Sequence, residues 1–453
     1  CKGKEIHKKI VSKGLLDKDP TLGSALVDMY VQCGDLSKAQ QVLKDLPIRN
    51  VTAWSTLISG YAQQGQNREV LNCFERMQSE GLCPDAVTYA FILKACSSTK
   101  DIEKGKQIHD MIVSRGLLVK DIVLGTALVD MYAKCGVIAY AQDVLEQLPA
   151  RGVVSWNALI TGYAQYDRCN EAWSCLRQMQ REGLSPDAVT FICILKACGN
   201  TGSIDKGEAI HDEIMNNGLL EKDIMIGNGL MDMYIKCGVL AKAWNVFEHL
   251  PARDVVSWNV LIAGCAQHGA VCEVIYCLEQ MQCEGLSPDA VTFTCTLKAC
   301  ASRGDIDEGR KCHEQILDRG LHEKDAVLGN ALVDMYAKCG LLSKARQVLE
   351  ELPVRNVVSW NALITGYAQH ELGHEVLKSY ASMVKDGKSP NEITYSSLLK
   401  ACGSIGAINK GVQIHNEIVE RGLMEKNIVI GTALVDMYAK CGVLEKAQQA
   451  LEE

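Results

Sequence analysis

Along the chain, apolar residues recur at the fourth, seventh, eighth and eleventh places of successive segments, as in Trp156, Leu159, Ile160 and Tyr163, or Phe191, Ile194, Leu195 and Cys198. That spacing is the i, i+3, i+4, i+7 stripe of a helix buried on one face. A second helical stretch follows across a Gly-containing turn such as Cys237-Gly238, and it ends in Gly-Leu or Leu-Pro, both helix-stop signals. All nine prolines lie at segment ends or starts, leaving helix interiors free of them. Strand alternation is absent. The pattern predicts an all-α array of helix-turn-helix units, none of which can bury its apolar face without neighbours.

The units repeat on a long period. VDMY, or its variant MDMY, begins at Val27, Val129, Met231, Val333 and Val435, always 102 residues apart. Each period holds three related segments, for example Val153 to Asp187 (35 residues), Ala188 to Asp223 (36) and Ile224 to Asp254 (31).

At ~100° per residue, places two, five, nine and thirteen of each first helix fall opposite the buried stripe. Place two is nearly always aliphatic: Val87, Val123, Val154, Val189, Met225, Val256, Val291, Val327, Val358, Ile393 and Val429, with Thr21 and Thr52 the exceptions. Two readings fit this column. It is an apolar ledge for flat bases, or it packs on the preceding repeat's helix. Place five is small and hydrogen-bonding in the 35- and 31-residue segments: Ser24, Ser55, Thr126, Asn157, Asn228, Asn259, Asn330, Asn361 and Thr432. Hydroxyls and amides can match base edges, since an amide carries a donor and an acceptor together. The 36-residue segments carry Ala90 and Ile192 there and are expected to read poorly or not at all.

Charge changes this picture in part. Lys+Arg total 47 against Asp+Glu 55, a net −8, unlike the strongly basic balance of many nucleic-acid binders. Lys134, Lys236, Lys338 and Lys440 at place thirteen, with Lys94, Lys196, Lys298 and Lys400 at place nine, supply local cations for phosphates or are merely solvated. Asp130, Asp232, Asp334 and Asp436 share the face and make its sign mixed. The 21 cysteines sit inside apolar helical patterns, where thiols behave as small core residues, and a reducing compartment is expected. No run of 18 apolar residues appears, and no targeting segment is visible at the start.

These segments resemble pentatricopeptide repeats, specifically the land-plant subclass in which P, L and S motifs of 35, 36 and 31 residues alternate. The resemblance rests on VVSWNALITGYAQ, LKAC, KGxxIH at Lys206 to His211, and ALVDMYAKCG. It covers the whole chain as one array: a partial L at 1–19, then S 20–50, P 51–85, L 86–121, S 122–152, P 153–187, L 188–223, S 224–254, P 255–289, L 290–325, S 326–356, P 357–391 and L 392–427, with a partial S at 428–453. The resemblance implies a right-handed superhelical α-solenoid that binds single-stranded RNA one base per repeat. It also implies that the fifth and last residues of P and S motifs select the base. Ser24 with Asn50 then suggests A, and Ser55 with Asp85 suggests G. Asn157 with Asp187, Asn228 with Asp254 and Asn259 with Asp289 suggest U. Asn330 with Asn356 and Asn361 with Asn391 suggest a pyrimidine. Thr126 with Gly152 suggests a purine, and Thr432 has no partner within the chain.

The family further implies a mitochondrial or plastid location, with the transit peptide outside this chain. It implies the recognition part of a C-to-U RNA editing factor, served by editing cofactors or a deaminase-like domain beyond Glu453. RNA stabilisation or processing without editing, and a protein-binding scaffold, stand as alternatives. The chain starts and stops in mid-repeat, so further repeats are expected. Zinc deaminases need a His-x-Glu and a Pro-Cys-x-x-Cys pair. His211-Asp212-Glu213 and His415-Asn416-Glu417 match the first element, but no Cys-x-x-Cys exists. His7, His109, His211, His313 and His415 are too far apart to share a metal, and packing explains them and the Trp and Cys columns. No metal, cofactor, membrane or small-molecule substrate is expected, and no catalysis within these residues.

Overall fold

The computed structural model describes residues 2–16, 20–118, 121–321, 325–423 and 427–452. Within them the chain forms twenty-seven α-helices and no strand. The bounds of the partial segment 1–19, and Glu453 at the close of the last one, lie outside the described residues.

Helix starts are dictated by the residue before them. First helices run Val51–Gln63, Ala86–Thr99, Ile122–Lys134 and Ala188–Thr201. Each is preceded by Asn50, Asp85, Asp121 or Asp187, whose side-chain oxygen accepts from a first-turn N–H. That satisfies one of the donors a helix start leaves orphaned, an interaction of ~1 kcal/mol. Second helices differ in length. Asn67–Ser79 and Ile102–Ser114 have 13 residues, whereas Ile138–Gln147 has 10 and Leu240–Glu248 has 9. Losing about one helical turn accounts for the 31-residue segment.

The chain divides into two compact units, Cys1–Cys237 and Gly238–Glu453. Within each, successive first helices pack side by side in one layer. Second helices that lie between two first helices of the same unit rest on their own first helix and on the next one. Phe191, Ile194, Leu195 and Cys198 are fully buried, and Trp54, Trp156, Trp258 and Trp360 are only 2–6 % exposed. Burying each large apolar side chain contributes roughly 1.5–3 kcal/mol. The tryptophans are therefore core and cannot stack on bases.

Two contacts explain why the motifs are so regular. A Cβ on Gly162 would lie 2.6 Å from Ala133 Cβ, and one on Gly366 would lie 2.6 Å from Ala337 Cβ, so only glycine allows these first helices to approach. Where a 36-residue segment meets a 31-residue one, a Cβ on Gly105 would strike Met131 Sδ at 2.6 Å. One turn later His109 Nδ1 sits 2.9 Å from the Tyr132 hydroxyl. His211 with Tyr234, His313 with Tyr336 and His415 with Tyr438 repeat that contact at 2.8, 2.9 and 2.9 Å. Burial lowers the His109 pKa, which favours a neutral imidazole. The histidine column thus packs against tyrosines. All twenty described cysteines are free, and among the described residues no cluster of three His, Cys, Asp or Glu is placed to hold a metal.

Candidate nucleic-acid interface

Place two is open. The eleven aliphatic residues from Val87 to Val429, Val154, Val256 and Val358 among them, are 52–71 % exposed. Packing on the preceding helix, one of the two readings above, is therefore excluded. Solvated columns of large apolar residues carry a standing cost in water and mark surfaces that bind something.

Place five is less open than expected. Asn157 and Asn361 are 8 % and 6 % exposed, and the remaining place-five residues of these segments are half-buried or, like Thr432, in a repeat left open. The cover comes from the paired last residue and from a threonine that the sequence does not single out. In the 35-residue segments the place-five side chain is enclosed by the segment's last residue and by a threonine three places further on. Asn157 Nδ2 donates to Asp187 Oδ1 at 2.9 Å, and the Thr190 hydroxyl donates to Asn157 Oδ1 at 2.6 Å. Asp187 N–H donates to Thr190 Oγ1 at 3.1 Å, and Thr190 N–H donates back to Asp187 Oδ1 at 2.9 Å. The ring is closed. Asn259, Asp289 and Thr292 form it again, with Nδ2 at 3.1 Å and the hydroxyl at 2.6 Å. Asn361, Asn391 and Thr394 form a third at 2.8 and 2.6 Å. Thr88 lies 2.7 Å from Ser55 Oγ and 2.6 Å from Asp85 Oδ1.

Burial alone would raise the Asp187 carboxyl. Donation from the Thr190 N–H and from Asn157 outweighs it and holds the group below its ordinary value. The last residue of a segment thus has two tasks, capping the next helix and anchoring the amide behind it.

The 31-residue segments lack this ring. Ser24 Oγ donates directly to Asn50 Oδ1 at 3.0 Å. Asn330 Oδ1 is buried without a hydrogen-bond partner among the described residues, although Asn356 caps Ser359 N–H at 3.0 Å. Ser359 turns its hydroxyl onto Asn356 O at 2.8 Å instead. Asp254 caps Ser257 N–H at 2.8 Å, but it belongs to the second unit and Asn228 to the first. Gly152 has no side chain to offer Thr126, and the Thr432 hydroxyl is spent on Ile428 O at 2.9 Å. The 36-residue segments are not uniform at place five either: beside Ala90 and Ile192 stand Thr294 and Ser396.

The cations separate into two sets. Lys134, Lys236, Lys338 and Lys440 are paired with Asp130, Asp232, Asp334 and Asp436 at 2.8, 2.8, 2.8 and 2.7 Å. Lys94, Lys196, Lys298 and Lys400 are exposed, and no ion pair engages them among the described residues. The second set carries the available positive charge. In the second unit these features converge on a groove of about 500 Å³ whose walls include Val327, Val358 and Ile393, Asn330 and Asn361, and Lys298 and Lys338.

The model of the PPR repeat family matches residues 49–98, 151–200, 253–302 and 355–404. A second model, the PPR repeat, matches 24–51, 189–219, 291–321, 330–357 and 393–423. A chloroplastic pentatricopeptide repeat-containing protein of Arabidopsis thaliana is 35 % identical over 89 % of this chain and 64 % of its own length. Two mitochondrial ones from the same plant are 32 % and 34 % identical over 100 % of this chain, and 65 % and 44 % of their own length. The chain thus spans about half to two thirds of these relatives. Among solved structures, the pentatricopeptide repeat protein PPR10 in complex with an 18-nt psaJ RNA element is 20 % identical, covering 100 % of this chain and 69 % of that one with a TM-score of 0.47. Yeast Rmd9p in complex with a 16nt target RNA is 12 % identical, covering 95 % and 88 %, with a TM-score of 0.43.

Proposed function

Because the chain belongs to the pentatricopeptide repeat family, we propose that its open face binds single-stranded RNA, one base per repeat, with the fifth and last residues of the P and S repeats bounded above selecting the bases. The observation that carries this reading is the groove in which exposed aliphatic side chains from three successive first helices alternate with amides. Neighbouring helices stand ~10 Å apart, so their valines bracket a gap suited to one flat ring, and the amide between them meets that ring's edge. Lys298 and its three equivalents face the same side to meet phosphates. A peptide-binding scaffold accounts for the apolar ledge but not for the amides anchored at Asn157, Asn259 and Asn361, 102 residues apart.

The alternation of 35, 36 and 31 residues supports the finer reading. The array is the recognition part of an organellar C-to-U editing factor, acting in a mitochondrion or plastid, with the deaminase supplied by a further domain or a partner. Chloroplastic and mitochondrial relatives fit that location. The site residues give the target 5′-A-G-n-R-U-n-U-U-n-Y-Y-n-R-3′. Fluorescence anisotropy with this RNA, and with one whose three U positions are A, tests the register. Each mismatch costs roughly 1–3 kcal/mol, so the altered RNA should bind at least about a hundredfold more weakly. Equal binding of the two would sink the assignment.

A further inference from the structure

The three residues of the closed ring do more than fill space. Neither Asn157 Oδ1 nor Asp187 Oδ1 can donate, and they lie 2.6 and 2.9 Å from Thr190 Oγ1, so the threonine's single proton is directed at the nearer, Asn157 Oδ1. Thr190 Oγ1 in turn accepts from Asp187 N–H. Turning the Asn157 amide over would set its carbonyl against the Asp187 carboxylate at the 2.9 Å now spanned by Nδ2. The amide therefore has one orientation, with its oxygen turned onto Thr190 and one Nδ2 hydrogen left over. Asn259 and Asn361 are held the same way by Thr292 and Thr394.

From this we infer that Thr190, Thr292 and Thr394 are positioning residues for base selection in the preceding P repeat, locking the place-five amide so that it presents only a hydrogen-bond donor to the base. The ligand chemistry follows: these repeats take a base edge that offers an acceptor, and they penalise one that offers an amino group. The inference rests on the proposed RNA reading and adds a third residue to each base-reading set. The S repeats supply the contrast. Asn330 and Asn356 are the same pair as Asn361 and Asn391, yet Ser359 stands where Thr394 would be and bonds Asn356 O, leaving Asn330 Oδ1 with no partner among the described residues. An amide held by fewer bonds can turn either edge to the base and discriminates less.

The test uses the full chain and the 13-nucleotide RNA, with U or A at its fifth position (Asn157) and U or A at its tenth (Asn330). Wild-type protein should prefer U over A at the fifth position by about tenfold or more. Thr190→Val, which keeps the shape and loses the hydroxyl, should bring that ratio close to one while leaving the salt dependence of binding unchanged. Thr190→Ser, which places at this site the residue that stands at 359, should lower the ratio toward that of the looser S repeats. Ser359→Thr should raise the U over A ratio at the tenth position severalfold, and it guards against a Thr190→Val protein that fails to fold. A wild-type ratio in Thr190→Val, or no gain in Ser359→Thr, overturns the positioning role alone. A wild-type chain indifferent to the fifth base overturns the RNA reading and this inference with it.

Discussion

Asn330 and Asn361 are neighbours on one face of the second unit, each paired in sequence with a terminal asparagine, but the third helical place after that asparagine is Ser359 for one and Thr394 for the other. Behind Asn361, the Thr394 hydroxyl closes a ring that satisfies the amide oxygen. Behind Asn330, Ser359, which lacks the methyl that restricts a threonine's rotamer, bonds its own turn and leaves that oxygen unanswered. Hydrogen bonds buried from water are costly to leave unmade, about 1–3 kcal/mol each. The P repeats have spent that energy on a fixed amide. The S repeats, one turn shorter in the second helix, hold the same residue type loosely.

Four perturbations break or sharpen this contrast. The largest effect is expected from Asn391→Ala, which removes a helix cap and strands the Asn361 amide. It should lower unfolding free energy by about 2–3 kcal/mol, against about 1 kcal/mol for the cap alone in Asn356→Ala, both read from urea denaturation. Asn361→Ala should cost about 1–2 kcal/mol because the Thr394 hydroxyl loses its acceptor. Asn330→Ala should be near neutral, since it removes an acceptor that nothing serves. An equal cost for these two would erase the distinction.

The third perturbation is acid. The Asp187 carboxyl has a folded value below its ordinary 3.8, so its contribution is complete above that value and is lost as pH falls through the folded one. Wild-type urea midpoints should therefore fall with acid more steeply than those of Asp187→Asn, which keeps the cap without the charge. The smallest effect belongs to Asp334→Asn. Its ion pair with Lys338 is exposed and worth at most ~0.5 kcal/mol, so thermal stability should barely move. RNA affinity should rise, with a steeper salt dependence from the released cation.

Much of this architecture was legible before the coordinates. The i, i+3, i+4, i+7 stripe located the buried faces, and the 102-residue spacing marked the histidine column as packing, without showing that His109 meets Tyr132 or Gly105 meets Met131. The place-two column was ambiguous because an aliphatic residue opposite the core satisfies either packing or stacking, and only exposure separates the two. The threonine ring was missed. Its signal was present as Asp-Ala-Val-Thr at Asp187 to Thr190 and Asn-Glu-Ile-Thr at Asn391 to Thr394, a cap residue followed at the third helical place by a hydroxyl. That pattern announces a helix start. It does not announce that the same hydroxyl reaches back 33 residues to the amide of the preceding repeat. The lysines of place thirteen misled for a similar reason: periodicity put them on the right face, and an aspartate one turn earlier engages them.

The most direct measurement places one adenine at a time in the 13-nucleotide RNA, at the tenth position facing Asn330 or the eleventh facing Asn361, and compares the loss of affinity with the unmodified wild-type chain. The account predicts a loss of about tenfold at the eleventh position and a several-fold smaller one at the tenth. Equal losses at the two positions, or a larger loss at the tenth, would contradict it.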